Sequence, residues 1–457
     1  MQKLSKRLEN EILKVLVLRE FTTYRPKLVF HNPDTGYKQT VTLLNAFDIE
    51  QDFMESYMTK YVINVSITYG QYLLFQRNLQ GLECTIILYP YSIKMGRDIF
   101  EVEPIIIKTK AMMDRVDLSK LVNNKTLGDD NPMVSPDKVD TPMQASMMMK
   151  VPIYLVDPGV YDTRHTQINA VLHDVTIEDV IHWAAYQFGF EKVNIVKPNN
   201  TLRYGNLVIP PMKNIANLFP YLQQTFGIYT NGLGYFVMGD ELYMYPQFDK
   251  DLNNTYTDKF IHVINAPKGS YNGMDSYSRV IDGDPWIVST SDANIEDAST
   301  KGIENEGNVH VSTNTDNNRD YGVVVNKDGS VVRNAENITV VQNANNNAVQ
   351  SKSQVLKYVG QRTNLYTSTT SIAAYNSVYM STGWVHARPL SLLPGQCLLY
   401  HYDDKNEDYS VKKGRILGVV YHSMLHPCNT GEDVLLTFNS VIRACLEPDI
   451  QQDTTLV

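Results

Sequence analysis

Thr176–Gly189 reads TIEDVIHWAAYQFG, Ile215–Gly227 reads IANLFPYLQQTFG, and Tyr235–Tyr245 reads YFVMGDELYMY. In the first segment Thr176 precedes Asp179 by three residues, the spacing at which a side chain and a backbone amide cap a helix start reciprocally. Ile177, Val180, Ile181, Ala184, Ala185 and Phe188 recur at helical spacing and form one apolar stripe. Gly189 supplies the left-handed residue that stops a helix. In the second segment Ile215, Leu218, Phe219, Leu222 and Phe226 repeat the pattern up to Gly227. Proline breaks helix interiors, so Pro220 predicts a helix beginning near Asn217 with the proline in its first turn. The third segment is a β-hairpin about the two-residue turn Gly239-Asp240, with Val237 facing Leu242 and Tyr235 facing Met244. The unit has no catalytic group. It is a packing device, which tilts the reading toward a structural protein.

On either side the chain alternates as strands do. Tyr61, Ile63, Val65, Ile67 and Tyr69 interleave with Val62, Asn64, Ser66 and Thr68, a half-buried strand. Further strands are expected at Leu82–Tyr89, Glu103–Ile107, Val151–Val156, Phe260–Ile264 and Trp286–Ser289. The last hundred residues add Cys397–Tyr402, Arg415–His422 and Val434–Ile442, with Pro394-Gly395 introducing the first and Asp403–Lys413 as a charged hairpin loop. Ser289–Ser353 differs in kind: 13 of its residues are Asn, too polar a segment to bury a core of its own. It reads as an exposed insertion carrying one hairpin, Tyr321–Val325 with Ser330–Arg333.

The expected fold is α+β, mainly β: two small antiparallel β-barrels, an inserted helix–helix–hairpin unit and a polar Asn-rich insertion. Its divisions are a first barrel with an N-terminal helix (1–110), an irregular loop and connecting strand (111–160) and the helical unit (161–250). The second barrel (251–288 plus 354–447) holds the insertion (289–353), and a flexible tail (448–457) ends the chain.

Net charge is −9 across 457 residues, which argues against unaided binding to nucleic acid or an anionic membrane. Four scattered cysteines, with no CxxC pair, exclude a disulfide scaffold or zinc ribbon. No uncharged apolar run approaches the roughly 18 residues a membrane span needs, so no membrane insertion is expected.

Catalytic constellations are missing from the sequence: no GxSxG elbow, HExxH, P-loop or GxGxxG after a strand. His422, His426 and Cys428, with His401 on a neighbouring strand, are the one spacing that would suit a loop-borne zinc site. Histidines at a strand end are commoner without a metal, and no cofactor is expected. Asp316, Asn318, Asp320 and Gly322 resemble the start of a calcium loop, but the glycine falls one position late and no closing Glu follows. Asp403-Asp404 and Glu407-Asp408 read as a solvated hairpin tip rather than a glycosidase pair.

The order of elements resembles the tail hub family, the central baseplate hub of contractile-tailed phages and the N-terminal hub module of type VI secretion spike proteins. The resemblance rests on Thr176–Gly189 with Ile181 and Phe188, and on the second helix with Leu218, Leu222 and Gly227. It extends to the hairpin with Gly239 and Asp240, to Leu393-Pro394-Gly395-Gln396-Cys397, to Gly414–His422 and to Leu435–Ile442. It covers about 250 residues, by pattern rather than by an invariant motif. It implies a non-enzymatic homotrimer in the virion baseplate, assembled in the host cytoplasm. Two barrels per chain would build a ring that joins the tail tube protein to the central spike protein beside other baseplate proteins. Phage DNA would pass the lumen without specific binding. The alternative is a tail-associated recognition protein that binds a cell-surface glycan or another virion protein through 289–353.

Overall fold

The computed structural model describes residues 4–16, 23–41, 44–93, 95–99, 102–111, 148–266, 277–290, 293–297, 309–314, 320–325, 331–334, 366, 370, 373–374, 377–404, 408–427 and 434–448. Helix α1 (Lys6–Leu16) precedes strands β1 (Tyr24–Asn32), β2 (Tyr37–Val41), β3 (Leu44–Asp52) and β4 (Lys60–Thr68). Helix α2 (Tyr69–Arg77) leads to β5 (Glu83–Ser92), β6 (Arg97–Asp98), β7 (Ile105–Ala111) and β8 (Met148–Val156). The middle unit is α3 (Pro158–Thr163), β9 (Ile168–Thr176), α4 (Ile177–Phe188), β10 (Lys192–Ile195), β11 (Arg203–Lys213), α5 (Ile215–Thr225), β12 (Leu233–Met238) and β13 (Glu241–Pro246). Then come β14 (Ile261–Asn265), β15 (Tyr277–Ile281), β16 (Asp284–Ser289), β17 (Asn294–Asp297), β18 (Val309–Asn314), β19 (Asp320–Val325) and β20 (Val331–Asn334). The chain closes with β21 (Val378–Trp384), β22 (Cys397–Asp403), β23 (Tyr409–Pro427) and β24 (Val434–Leu446).

The first barrel is a closed antiparallel ring of eight strands in the order β23-β3-β4-β8-β7-β5-β1-β24, since β23 and β24 also pair with each other. Strand alternation drives its interior: Tyr61, Ile63, Val65 and Ile67 of β4 are buried while the residues between them are not. Phe47 meets Phe438 edge-on at 5.8 Å inside, and Phe75 of α2 packs on Phe30 at 5.1 Å. Tyr69 is not part of the strand. Thr68 and Gln71 form a reciprocal cap that turns the chain into α2 instead.

The second barrel uses the same last two strands. Residues Tyr409–Arg415 of β23 pair with β22, whereas Gly418–His422 pair with β3 of the first barrel. Ser440–Leu446 of β24 pair with β21, whereas Leu436 meets Tyr24 of β1. β14 runs parallel to both β16 and β22, and β17 pairs antiparallel with β21. Ser289 at the end of β16 bonds the Thr382 hydroxyl and the Gly383 carbonyl, each at 2.7 Å. The expected first barrel of residues 1–110 therefore needs β8, β23 and β24 from later in the chain to close. One long hairpin of 19- and 13-residue strands belongs to both.

Two further expectations change, and a third is met with an addition. α1 lies on the outside of the second barrel, not with the first: Leu8, Ile12 and Val15 are buried against Ile264, Ala266 and Val288. The charged loop expected over Asp403–Lys413 is shorter, because Asp403 pairs with Tyr409 and Tyr402 with Ser410. The expected hairpin in the insertion is present as β19–β20, and β18 adds a third strand to a sheet of its own. The 111–160 loop, apart from its ends, and most of the tail from 448 onward lie outside the described residues.

In the middle unit α4 begins at Thr176 with the reciprocal Thr176–Asp179 cap and ends at Gly189, whose φ is 86°. Every residue of its predicted stripe is buried. α5 begins at Ile215 behind an Asn214–Asn217 cap, so Pro220 lies inside the helix, not in its first turn. The Tyr235 hydroxyl takes the Ala216 carbonyl at 2.9 Å, the acceptor that Pro220 has no N–H to reach.

Candidate functional site

Where the hairpin passes from one barrel to the other, the register of β23 against β24 slips between Ile416 and Gly418. Such a bulge bends a strand and leaves one residue outside the ladder. That residue, Leu417, gives its carbonyl to the amide of Phe53 at 3.0 Å, so the bend is tied to the end of β3. A side chain at 418 would stand 2.9 Å from the Gln51 carbonyl, so only glycine fits the bend. Arg443 closes on Asp52 at 2.8 Å beside it. Burial pushes the Asp52 carboxyl up, but Arg443 and the amides of Met54 and Glu55 outweigh it, and it titrates below its ordinary value.

Arg415 is fully buried at the same joint. It donates to the carbonyls of Asp249 at 2.9 Å, Gly395 at 2.7 Å and Asn254 at 2.6 Å. The planar guanidinium suits this task, since its donors point three ways at once. Pro394 and Gly395 are part of the same clamp: Tyr256 donates to the Pro394 carbonyl at 2.5 Å, and the Tyr245 ring lies where a Gly395 side chain would be. Arg415 thus pins the middle unit, the 394–395 turn and β23 together. Sequence reading placed Arg415 in a strand without a role. The one signal, an arginine flanked by Gly414 and Ile416-Leu417 in a strand core, is too common to single it out.

The middle unit is seated on the first barrel by backbone. Val237 of β12 donates to the Tyr57 carbonyl at 2.8 Å, and Phe236 meets Phe53 edge-on at 4.8 Å. The Gly239-Asp240 turn has φ of 62° at Gly239, and the predicted pairs Val237–Leu242 and Tyr235–Met244 form. A side chain at Gly159 would stand 2.8 Å from the Gly239 carbonyl, so the turn rests on the start of α3. Asp157 is buried there and accepts from the Tyr61 hydroxyl at 2.9 Å. Burial pushes its carboxyl up to about 7, offset in part by Tyr61. Ile181, Phe188, Leu218 and Leu222 are buried in the shared core, and Gly227 has φ of 82°.

Among the described residues the metal candidates do not come together. His422 lies 3.3 Å from Asp48, and His426 bonds Thr437 at 2.8 Å. Cys428 lies outside the described residues. His401 lies on β22 opposite Val411 of β23, in the second barrel, with Nε2 3.0 Å from His262 Nδ1 and Nδ1 2.7 Å from the Tyr409 hydroxyl. The Trp286 ring stacks on His262 at 3.8 Å. Burial, reinforced by the charges of His262, Lys14 and Arg7, holds the His401 imidazole down at about 3. Among the described residues no three His, Cys, Asp or Glu side chains gather as metal ligands. Asp403 takes the amide of Ser5 at 2.8 Å and its hydroxyl at 2.6 Å, so it anchors α1 rather than facing a cleft. A cleft of about 580 Å³ lies between α5 and the 53–57 turn, lined by Phe53, Tyr57, Pro220, Gln223 and Tyr235. Glu55 is the one carboxylate in its lining, and Tyr57 stacks on Tyr235 there.

No protein-family model and no curated protein matches the chain. Among solved structures, a tail protein from Neisseria meningitidis MC58 is similar at 11% identity and a TM-score of 0.45, over 93% of this chain and 97% of that one. The 43 kDa tail protein of prophage MuSo2 from Shewanella oneidensis is similar at 10% identity and a TM-score of 0.43, over 92% and 96%. The E. coli c3393 protein, a component of the type VI secretion system, is similar at 7% identity and a TM-score of 0.38, over 89% and 75%. The structural neighbours are phage tail proteins and proteins of type VI secretion spikes.

Proposed function

We propose that this chain is a structural protein of a phage tail or related injection machine, a baseplate hub of the virion without catalytic activity. The reading holds that three copies form a ring that joins the tail tube to the central spike and encircles the passing DNA. The observation that carries it is the hairpin shared by two barrels. A bend fixed by Leu417, Gly418 and Arg415 sets the angle between the barrels, and a ring subunit needs a fixed angle between its walls. Side chains of one continuous core run through both barrels. Three chains at net charge −9 would also repel phosphates that pass through.

Light scattering of the purified chain tests this. The expected mass is three times the 52.0 kDa of one chain, alone or on mixing with a spike protein. A single-chain mass under both conditions rejects the reading. A second reading is favoured by β18–β20, which make a sheet apart from the sixteen-stranded one: recognition of a glycan or a virion protein through 289–353. Binding to host cells that survives deletion of 289–353 would reject it.

A further inference from the structure

α1 covers one face of the second barrel, and the strand register shows which side chains share that face. Side chains alternate between the faces of a strand. The pairings set Trp286 beside His262, His401 beside Ile264, and Tyr409 beside Asp403. Ile264, Ala266 and Val288, which pack on α1, therefore lie on the face of Asp284, His262, His401 and Tyr409. These four come one each from the neighbouring strands β16, β14, β22 and β23 and form a polar row. His262 Nε2 faces the Asp284 carboxylate at 3.7 Å, His262 Nδ1 meets His401 Nε2 at 3.0 Å, and His401 Nδ1 meets the Tyr409 hydroxyl at 2.7 Å. The Asp284 carboxylate is itself fixed by the amide of Phe260 at 3.1 Å.

One proton order satisfies the whole row. Tyr409 donates to His401 Nδ1, His401 Nε2–H donates to His262 Nδ1, and His262 Nε2–H points at the ionised Asp284. The reverse order would aim a bare imidazole nitrogen at that carboxylate. Both rings are then neutral, and a further proton can enter only at His401 Nδ1, where the Tyr409 hydroxyl must turn from donor to acceptor. α1 brings three charged side chains to the row. Arg7 stands 4.6 Å from the centre of the Tyr409 ring, and Lys14 pairs with Glu11 at 2.8 Å. Burial holds both imidazoles below their ordinary value. Asp284 and Glu11 oppose it at His262, whereas the charges of His262, Lys14 and Arg7 reinforce it at His401. Ser5, just before the helix, is held by Asp403.

We infer that α1 is a latch released by acid: it stays on the second barrel while the His262–His401 pair is neutral and lifts when the pair takes a proton. The inference does not depend on the ring reading. Lifting α1 takes Arg7 and Lys14 away from the row and lets water reach both rings, so the protonated pair favours the open form. Glu11 leaves with the helix, but its charge is already matched by Lys14. The open form binds the proton more tightly, so docking weakens as pH falls, by at most about tenfold per pH unit for one proton. The strands beneath are joined by ladders, whereas α1 is held by the side chains of Leu8, Ile12 and Val15 and by its ends, which makes it the element that opens first. Release bares Ile264, Ala266 and Val288 together with the apolar stripe of the helix, a surface that neutral pH keeps covered.

The experiment follows amide hydrogen exchange of the full chain by mass spectrometry at pH 7 and pH 5, with rates corrected for the intrinsic effect of pH. Protection of residues 6–16 should fall about tenfold between the two, while β23 and β24 keep theirs. His262→Gln/His401→Gln removes both titrating rings and should hold the protection of α1 the same at both pH values. Asp403 and Glu11 remain in that chain, so a loss of protection that persists there assigns the trigger to a carboxylate and overturns the inference. Lys14→Gln, at an exposed position, leaves the buried rings intact and removes one repelling cation. It should match the wild type at pH 7 and keep more protection than the wild type at pH 5. Wild-type protection that is equal at both pH values, or a loss that spreads equally to β23 and β24, also overturns the inference.

Discussion

The Tyr235 hydroxyl donates to the Ala216 carbonyl at 2.9 Å, replacing the amide that Pro220 lacks. Helix α5 tolerates an internal proline because a strand packed on it supplies the missing donor. Tyr235→Phe keeps the ring against Tyr57 and Phe219 and removes only the bond, so it should cost about 1 kcal/mol. In a Pro220→Ala background the helix regains its own amide, and the same change should cost close to nothing. Urea unfolding of the four chains measures the difference. Equal costs in both backgrounds would show that the hydroxyl does not stand in for the amide.

Arg415 holds three carbonyls that have no other described donor of comparable reach. Arg415→Met fills much of the volume but leaves those acceptors buried and unpaired, a loss of about 3 kcal/mol or more. Arg415→Lys should recover little of it, because one ammonium cannot span three carbonyls set around a plane. Thermal unfolding of both variants is the measurement, and a lysine variant as stable as wild type contradicts the three-way clamp.

α4 was legible because its signals are local: the Thr176–Asp179 cap, the stripe to Phe188 and the stop at Gly189 lie within fourteen residues. The start of α5 was misplaced because the donor that excuses Pro220 lies on β12, outside any helical window. α2 was hidden for a related reason. Tyr69 continues the alternation of β4, so the cap at Thr68 and Gln71 reads as two more strand residues. The sharing of the hairpin left no trace in the sequence at all. It depends on Gly418 meeting Asp52 and Tyr24 meeting Leu436, contacts between remote parts of the chain that no periodicity encodes.

Glycine at two turns separates strain from crowding. Gly395 and Gly239 both have positive φ, 66° and 62°. A side chain at 239 meets open space, whereas one at 395 would overlap the Tyr245 ring. Gly239→Ala should therefore cost only the backbone term, about 1–2 kcal/mol. Gly395→Ala adds a clash with a fully buried ring and should cost at least about 2 kcal/mol more. Denaturant midpoints compare them, and equal losses would mean that Tyr245 can move aside.

Two buried groups give the fold opposite responses to pH. The carboxyl of Asp157 rises from its ordinary value of 3.8 to about 7. Between about pH 4 and 7 the folded chain therefore keeps a proton that the unfolded chain has released, and stability falls as pH rises through that window. The imidazole of His401 is lowered from 6.5 to about 3. Between about pH 3 and 6.5 the unfolded chain binds a proton that the folded chain refuses, so stability falls as pH drops. The two slopes oppose each other between about pH 4 and 6.5. Asp157→Asn should remove the first slope alone: its stability should climb with pH to about 6.5 and then level. His401→Gln should do the reverse and decline from about pH 4 to 7. Urea unfolding at pH 3.5, 5, 6.5 and 8 reads both profiles. An Asp157→Asn chain with the profile of the wild type would show that this carboxyl is already ionised in the fold, and that the joint between α3 and the 239–240 turn is wetter than the packing implies.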